Sequence, residues 1–408
     1  MTAWAQLLHF YQPPTQTHDI LVKAADECYR PLLKVLLEFP AARLAINING
    51  VLTELLHEHG MQDILADLRV LHERGQAEFV GSGKYHPILP LIPHDERSRS
   101  IADHAQTNHA ILGAPERPAG FFPPEMCYSP EILPDLAEAW VDWFILSGVA
   151  CPGDWPTSVV DRVRTGDRTM AVLFRDDVRS NRISFGETDP ARFIDDLLSV
   201  DGGDGAYVVT AMDAETYGHH LSGWERDFLA AAYERVIAGE SGVRMLQPGE
   251  IVEQFPAGPS IEPLSSSWST TPEDIEAGNP FPLWKAPENA AHQLQWEFTG
   301  HCLAVLEAAE KHTGNESEAA QLAGHARAQL QPALHSCQYW WASRRPMWDL
   351  TMIHRGLALQ EQVLLLASRA LHLSAAPGEV KDETRWRLAA AREVRTGLED
   401  HLVMDARP

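Results

Sequence analysis

Over roughly the first 255 residues two apolar textures alternate. Short, predominantly apolar runs occur at residues 3–9, 44–48, 76–80, 121–122, 143–146, 170–174 and 206–212, most of them with Gly, Pro, Asn or a charged residue at one end or both. Runs of this kind predict strands, the one at 206–212 buried on both faces. Between them, residues 21–38, 51–59, 62–74, 95–112, 132–140 and 190–200 carry apolar positions at helical spacing. A strand, helix, strand beat predicts parallel units with the helices outside. The expected fold is therefore α/β, an incomplete seven-stranded barrel, with residues 243–246 a candidate eighth strand.

Past Gln254 the texture changes. Pro256, Pro259, Pro263, Pro272, Pro280, Pro282 and Pro287 punctuate a stretch that also holds Trp268 and Trp284. Segments 289–312, 317–343, 348–373 and 381–402 then read as helices of a bundle. The expected plan is a barrel over 1–255, a Pro/Trp-rich linker lining the cleft over 256–287, and a helical bundle over 288–408.

The apolar runs end in polar residues, which turns attention to chemistry. In barrel-like α/β folds the loops beyond the carboxyl ends of the strands carry function. The seventh run, AYVVTAM, stops at Asp213-Ala214-Glu215, with His219 and His220 close behind; the fourth breaks at Pro123-Pro124 and presents Glu125. His9 and His86 follow the first and third runs. Two carboxylates on one barrel face suffice to hydrolyse an acetal without a cofactor, and the two prolines limit how far Glu125 can wander. The Trp-rich segments offer flat faces for pyranose rings as well as ordinary core residues.

Composition narrows the partners. With 33 Lys plus Arg against 57 Asp plus Glu, the net charge of −24 repels phosphate backbones and anionic membranes. No nucleic acid or membrane partner is expected. Five widely spaced cysteines without a CxxC suggest reduced thiols and a cytoplasmic setting. The amino terminus lacks a basic leader and no apolar segment reaches the ~18 residues of a membrane span. Neither HExxH nor HxxxH occurs, and His104 and His109, five apart, diverge on a helix, so no metal is expected.

Five segments resemble, in order, the motifs of glycoside hydrolase family 57, the α-glucan-active enzymes. LHFYQPP at 8–14 is similar to the first motif with Tyr11 in place of its second histidine; GQAEFVGSGKYHPILPLIP at 75–93 matches the second over nearly its whole length. GFFPPE at 120–125 resembles the third, with Phe122 where the family has tryptophan, and MDAETYG at 212–218 the fourth. A fifth falls near 340–349. The resemblance implies a retaining α-glycosidase or glucan transferase with no cofactor, acting on oligo- or polysaccharide, with Glu125 as nucleophile and Asp213 as general acid/base. It further implies that His9 and His86 bind sugar hydroxyls and that Glu78, Glu215 and His219 orient the pair, with Phe122, His220, Trp268 and Trp341 completing the sugar-binding set. The rivals are a metal-dependent carbohydrate deacetylase, against which the missing HxxxH counts, and a catalytically silent sugar-binding relative.

Overall fold

A computed structural model of the chain describes residues 1–201, 205–239, 242–314, 317–345 and 347–404. It divides into two compact units, Met1–Thr271 and Pro272–Pro408. Among its described residues the first contains ten strands: β1 (Thr2–Phe10), β2 (Leu44–Ile48), β3 (Ala77–Phe79), β4 (Gly120–Phe121), β5 (Trp143–Leu146), β6 (Val160–Thr165), β7 (Arg168–Phe174), β8 (Ala206–Asp213), β9 (Val243–Leu246) and β10 (Ala257–Ser260).

Seven of these are the parallel staves of a barrel. Ladders join β8, β1, β2 and β3, and separately β4, β5 and β7. A parallel bridge between Gly81 and Phe121 closes β3 onto β4, and the Asp176 N–H donates to the Val209 carbonyl at 2.7 Å, closing β7 onto β8. β9 does not become an eighth stave. It pairs with β1 only from Thr2 to Ala5, whereas β2 pairs with β1 from Leu7 upward. Since β8 occupies the other edge of β1 along its length, β9 and β2 share one edge.

The lumen follows from strand alternation. Ala3, Ala5 and Leu7 of β1 meet Ala45, Ile145, Ala171, Leu173, Val209 and Ala211 in one buried cluster. Seven staves enclose a narrow space, so alanine recurs there. The opposite faces, Leu8, Phe10, Ile46 and Val208, pack on Leu32, Leu36, Leu65 and Leu68 of the surrounding helices.

One strand was not expected and two expected helices are broken. β6 forms an antiparallel hairpin with β7 through a turn at Gly166, whose φ is 53°; its Val-Asp-Arg-Val-Arg-Thr pattern is half-buried and lacks an unbroken apolar run. The helix over 21–38 is interrupted: His18–Ala24 and Arg30–Glu38 flank a π turn, Ala25–Tyr29. In the second unit, Ala290–His312, Leu350–Leu373 and Gly378–Met404 form long helices, but the helix over 317–343 ends at Ala333 and resumes as Cys337–Trp340. The Gln338 amide donates to the Ala333 carbonyl at 2.6 Å and stabilises that break, and Gly356 gives it room, since a Cβ there would lie 2.4 Å from the Gln338 Cβ.

Candidate active site

The carboxyl ends of β1, β2 and β8 come level: His9 stands opposite Asn47 on one side and Asp213 on the other. On the lumen rows, Ala and Leu lower down give way here to His9, Asn47 and Asp213. His9 Nδ1 donates to Asn47 Oδ1 at 2.7 Å. Burial pushes the His9 pKa down to about 4, against the pull of that bond, so the ring is neutral and offers Nε2 as an acceptor.

Glu125 sits on a turn the chain adopts reluctantly. Glu125 and Met126 have φ of 58° and 50°, the left-handed region disfavoured for side-chain-bearing residues, and His86 has φ 58°. The turn is held by Met126 N–H to the Pro123 carbonyl (2.7 Å), Cys127 N–H to that of Pro124 (2.9 Å) and Trp268 N–H to that of Glu125 (3.1 Å). Such strain persists where surroundings over-determine it, and three instances adjoin one carboxylate. The Trp268 indole donates to Glu125 Oε2 at 2.8 Å, and His86 Nδ1 lies 3.5 Å from Oε1. The side chain keeps 17% of its surface exposed.

A stack of rings walls this carboxylate. Tyr11 lies on His86 with centroids 4.0 Å apart, His86 on His9 at 4.9 Å, and His9 on Phe122 at 4.8 Å, while Trp268 meets Phe122 edge-on at 5.8 Å. Behind Asp213, Glu215 Oε1 accepts from the Tyr29 hydroxyl at 2.5 Å and from the Gln12 amide at 3.1 Å.

Three carboxyls therefore share a small region, and burial raises all of them. Glu125 is pushed up to about 8 by burial and then by the charge of Asp213, with the Trp268 indole acting the other way. Asp213 reaches about 6 through burial, restrained by the Arg175 guanidinium. Glu215 reaches about 8 through burial and the Asp213 charge, opposed by Tyr29 and Gln12. Near neutrality the cluster keeps protons that ordinary carboxylates would lose.

Not every expected residue joins it. Glu78 stands level with Leu7, two residues below the His9–Asp213 row, and its carboxylate accepts from the Gly249 N–H at 3.0 Å. The helix Pro248–Gln254 lies beneath β2 and β3, where Glu250 pairs with Arg43 at 2.6 Å, and draws Glu78 away from the rim. His219 Nδ1 is taken by the Glu27 carboxylate at 2.6 Å. His220 is exposed, its ring 5.6 Å from that of His219. Trp341 belongs to the second unit, edge-on to Trp340 at 4.8 Å; Pro346, within the fifth resembling segment, lies outside the described residues.

Sequence reasoning missed Asn47, Tyr29 and Arg175. Asn47 was detectable as the polar position inside the LAINI strand. Arg175 is buried and donates to the Ala211 carbonyl at 2.7 Å and to Asp177 at 2.6 Å. Among the described residues no group of three His, Cys, Asp or Glu is arranged to hold a metal. No described helix is long and apolar enough to cross a membrane. A separate groove of about 460 Å³ lies outside the barrel wall between the helices His94–Leu112 and Leu133–Glu138; none of His9, His86, Glu125 or Asp213 lines it.

The model of glycosyl hydrolase family 57 matches residues 5–262. The chain belongs to that family. Proteins similar to it include an α-amylase of Pyrococcus furiosus, 27% identical over 276 residues, and a 4-α-glucanotransferase of Thermococcus kodakarensis, 27% identical over 277. Each alignment covers 64% of this chain, which spans 40% of the length of either relative. Among solved structures, the family 57 branching enzyme of Thermococcus kodakaraensis superposes with a TM-score of 0.73 at 15% identity, covering 96% of this chain and 95% of its own. The 4-α-glucanotransferase of Thermococcus litoralis gives 0.71 at 19% identity, with 91% and 60% covered. These structures share the incomplete barrel fold expected from the strand pattern.

Proposed function

We propose that the protein is a retaining glycoside hydrolase or glucanotransferase acting on α-linked glucans, with Glu125 as nucleophile and Asp213 as acid/base. The observation that carries this reading is that Glu125, 3.5 Å from His86, whose ring stacks on His9, and Asp213, the register partner of His9, stand half-buried at the rim of one barrel, in a family named for glycosyl hydrolysis. Relatives described as α-amylase and 4-α-glucanotransferase support the α-glucan class.

In the first step Glu125 Oε1 bonds to the anomeric carbon as the glycosidic C–O bond breaks, and Asp213 gives its proton to the leaving oxygen. Oε2 stays tied to the Trp268 indole. In the second step Asp213 takes the proton of a water or a sugar hydroxyl, whose oxygen displaces Glu125. Neutral His9 accepts from a substrate hydroxyl, and the half-buried rings of Tyr11, at the end of the stack, and Trp268 supply the faces a pyranose ring packs against.

The free site runs its protons in the opposite order from these roles, since Asp213 at about 6 ionises before Glu125 at about 8. The attacking form is thus a singly ionised tautomer with the proton on Asp213. Positive charge developing at the anomeric carbon beside Glu125 favours that tautomer in the transition state. A bell-shaped kcat/KM follows, with limbs near pH 6 and pH 8: below, no carboxylate attacks; above, no acid protonates the leaving group. The deciding experiment combines labelled maltoheptaose, amylose and pullulan with product chromatography, then trapping by a 5-fluoro-α-glucosyl fluoride. Label on the Glu125 peptide supports the reading. Absence of product from every α-glucan, or label on another carboxyl, overturns it.

A further inference from the structure

The π turn Ala25–Tyr29 lies far from Asp213 in sequence, yet three of its consecutive residues each hold the loop that follows Asp213. The Glu27 carboxylate pairs with His219 Nδ1 at 2.6 Å. The Cys28 thiol donates to the Ala214 carbonyl at 3.1 Å. The Tyr29 hydroxyl donates to Glu215 Oε1 at 2.5 Å. The backbones meet as well: a Cβ on Gly218, whose φ is 116°, would lie 1.9 Å from the Glu27 carbonyl oxygen, so only glycine lets the loop approach.

In an unbroken α-helix, side chains two positions apart point to different faces, so Glu27 and Tyr29 could not both reach one loop. The π turn adds a residue to the local winding and widens the face that Glu27, Cys28 and Tyr29 present together. Tyr29 and Cys28 are fully buried, so neither contact is a solvated accident of the surface.

We propose that this π turn is a clamp on the acid/base loop and that Tyr29, acting through Glu215, is a positioning residue for Asp213. The inference rests on the assignment of Asp213 as acid/base and adds to it the part that holds it. Glu215 cannot swing, because Gln12 from the loop after β1 grips the same oxygen at 3.1 Å and is itself held by Gln16 at 2.7 Å. The groups around the cluster are Asp213 and Glu215 on the loop, Cys28 and Tyr29 on the turn, Gln12 after β1, Arg175 after β7, Glu125 across the site, and Glu225, whose charge reaches Cys28.

Tyr29→Phe in the full chain is the test, because it removes one hydroxyl and keeps the ring. On maltoheptaose, kcat is expected to fall about tenfold with KM held within about twofold, the loss of one hydrogen bond to a carboxylate. Amide exchange over residues 213–219 should quicken at least about fivefold while β1 and β2 keep their protection. In a Glu215→Gln background, Tyr29→Phe should add no further loss in kcat, because its route is through that carboxyl. Unchanged kcat with unchanged exchange, or equal effects with and without Glu215, overturns the clamp, as does a drop in thermal stability that leaves kcat intact well below the transition. If the native protein turns over no α-glucan, the functional reading fails, and exchange over 213–219 alone decides whether the turn holds the loop.

Discussion

Up to the level of Leu7 the barrel lumen is filled largely by Ala3, Ala5, Ala45, Leu173 and Val209, neutral side chains in ordinary backbone conformations, with the Glu78 carboxyl at the Leu7 level as the exception. One alternation higher the same rows present His9, Asn47 and Asp213, joined by Glu125 and His86 on left-handed backbone and by Arg175. The lower half is packed for stability. The rim holds three carboxyls whose burial raises their proton affinity, an arrangement that lowers stability at neutral pH unless substrate or hydrogen bonds offset it. The contrast teaches that one strand serves both ends, its lower lumen positions apolar and its last lumen position polar.

Substitutions at the two ends should therefore fail in different ways. The largest effect is expected from Glu125→Gln or Asp213→Asn, each lowering kcat/KM on maltoheptaose by roughly 10³-fold or more, with thermal stability equal to or above that of the native protein. A variant that keeps activity within tenfold breaks the assignment of the rim. Next is Leu7→Ala, which leaves a cavity below the rim and should reduce the first unit's unfolding free energy by about 3 kcal/mol in denaturant titration. The limbs of its pH profile should stay near 6 and 8. A shifted profile would show the two halves to be coupled.

Trp268→Phe sharpens the comparison further. The indole N–H favours the ionised form of Glu125, so its loss raises the proton affinity of that carboxyl. The alkaline limb near pH 8 should move upward while the plateau of kcat/KM drops about tenfold, the usual effect of one hydrogen bond to a charged group. A plateau unchanged by this variant would mean that the indole serves packing alone.

The staves were legible because β1, β2, β5 and β8 are predominantly apolar runs, and Glu125 and Asp213 because each carboxylate follows one. The family and the incomplete barrel expected from the five segments are both borne out. β6 escaped notice because its outward charges hide a half-buried strand. Tyr29 carried no signal: its direction depends on a π turn, and that turn is stabilised by contacts with residues 214–219, nearly 190 positions later in the chain. Glu78 was misread because a carboxylate near a strand end looks the same whether it faces the rim or the row beneath. Only the register through Ala45 to Leu7 separates the two cases.

Glu78 consequently supplies the smallest and most discriminating prediction. Burial raises its pKa from 4.5 to about 7, partly opposed by the Gly249 N–H. A carboxyl raised on folding contributes stability that is full below about pH 4.5 and lost as pH rises through about 7, because the folded chain must then hold a buried charge. Glu78→Gln keeps an acceptor for Gly249 and removes that charge. Relative to the native protein it should gain about 1–2 kcal/mol between pH 5 and pH 8 in parallel denaturant titrations, less than the full linkage because the side chain is only partly buried. Its kcat/KM should remain within twofold, with both limbs in place. A hundredfold loss of activity with a displaced limb would put Glu78 among the reacting groups, and the division of the lumen at Leu7 would have to be abandoned.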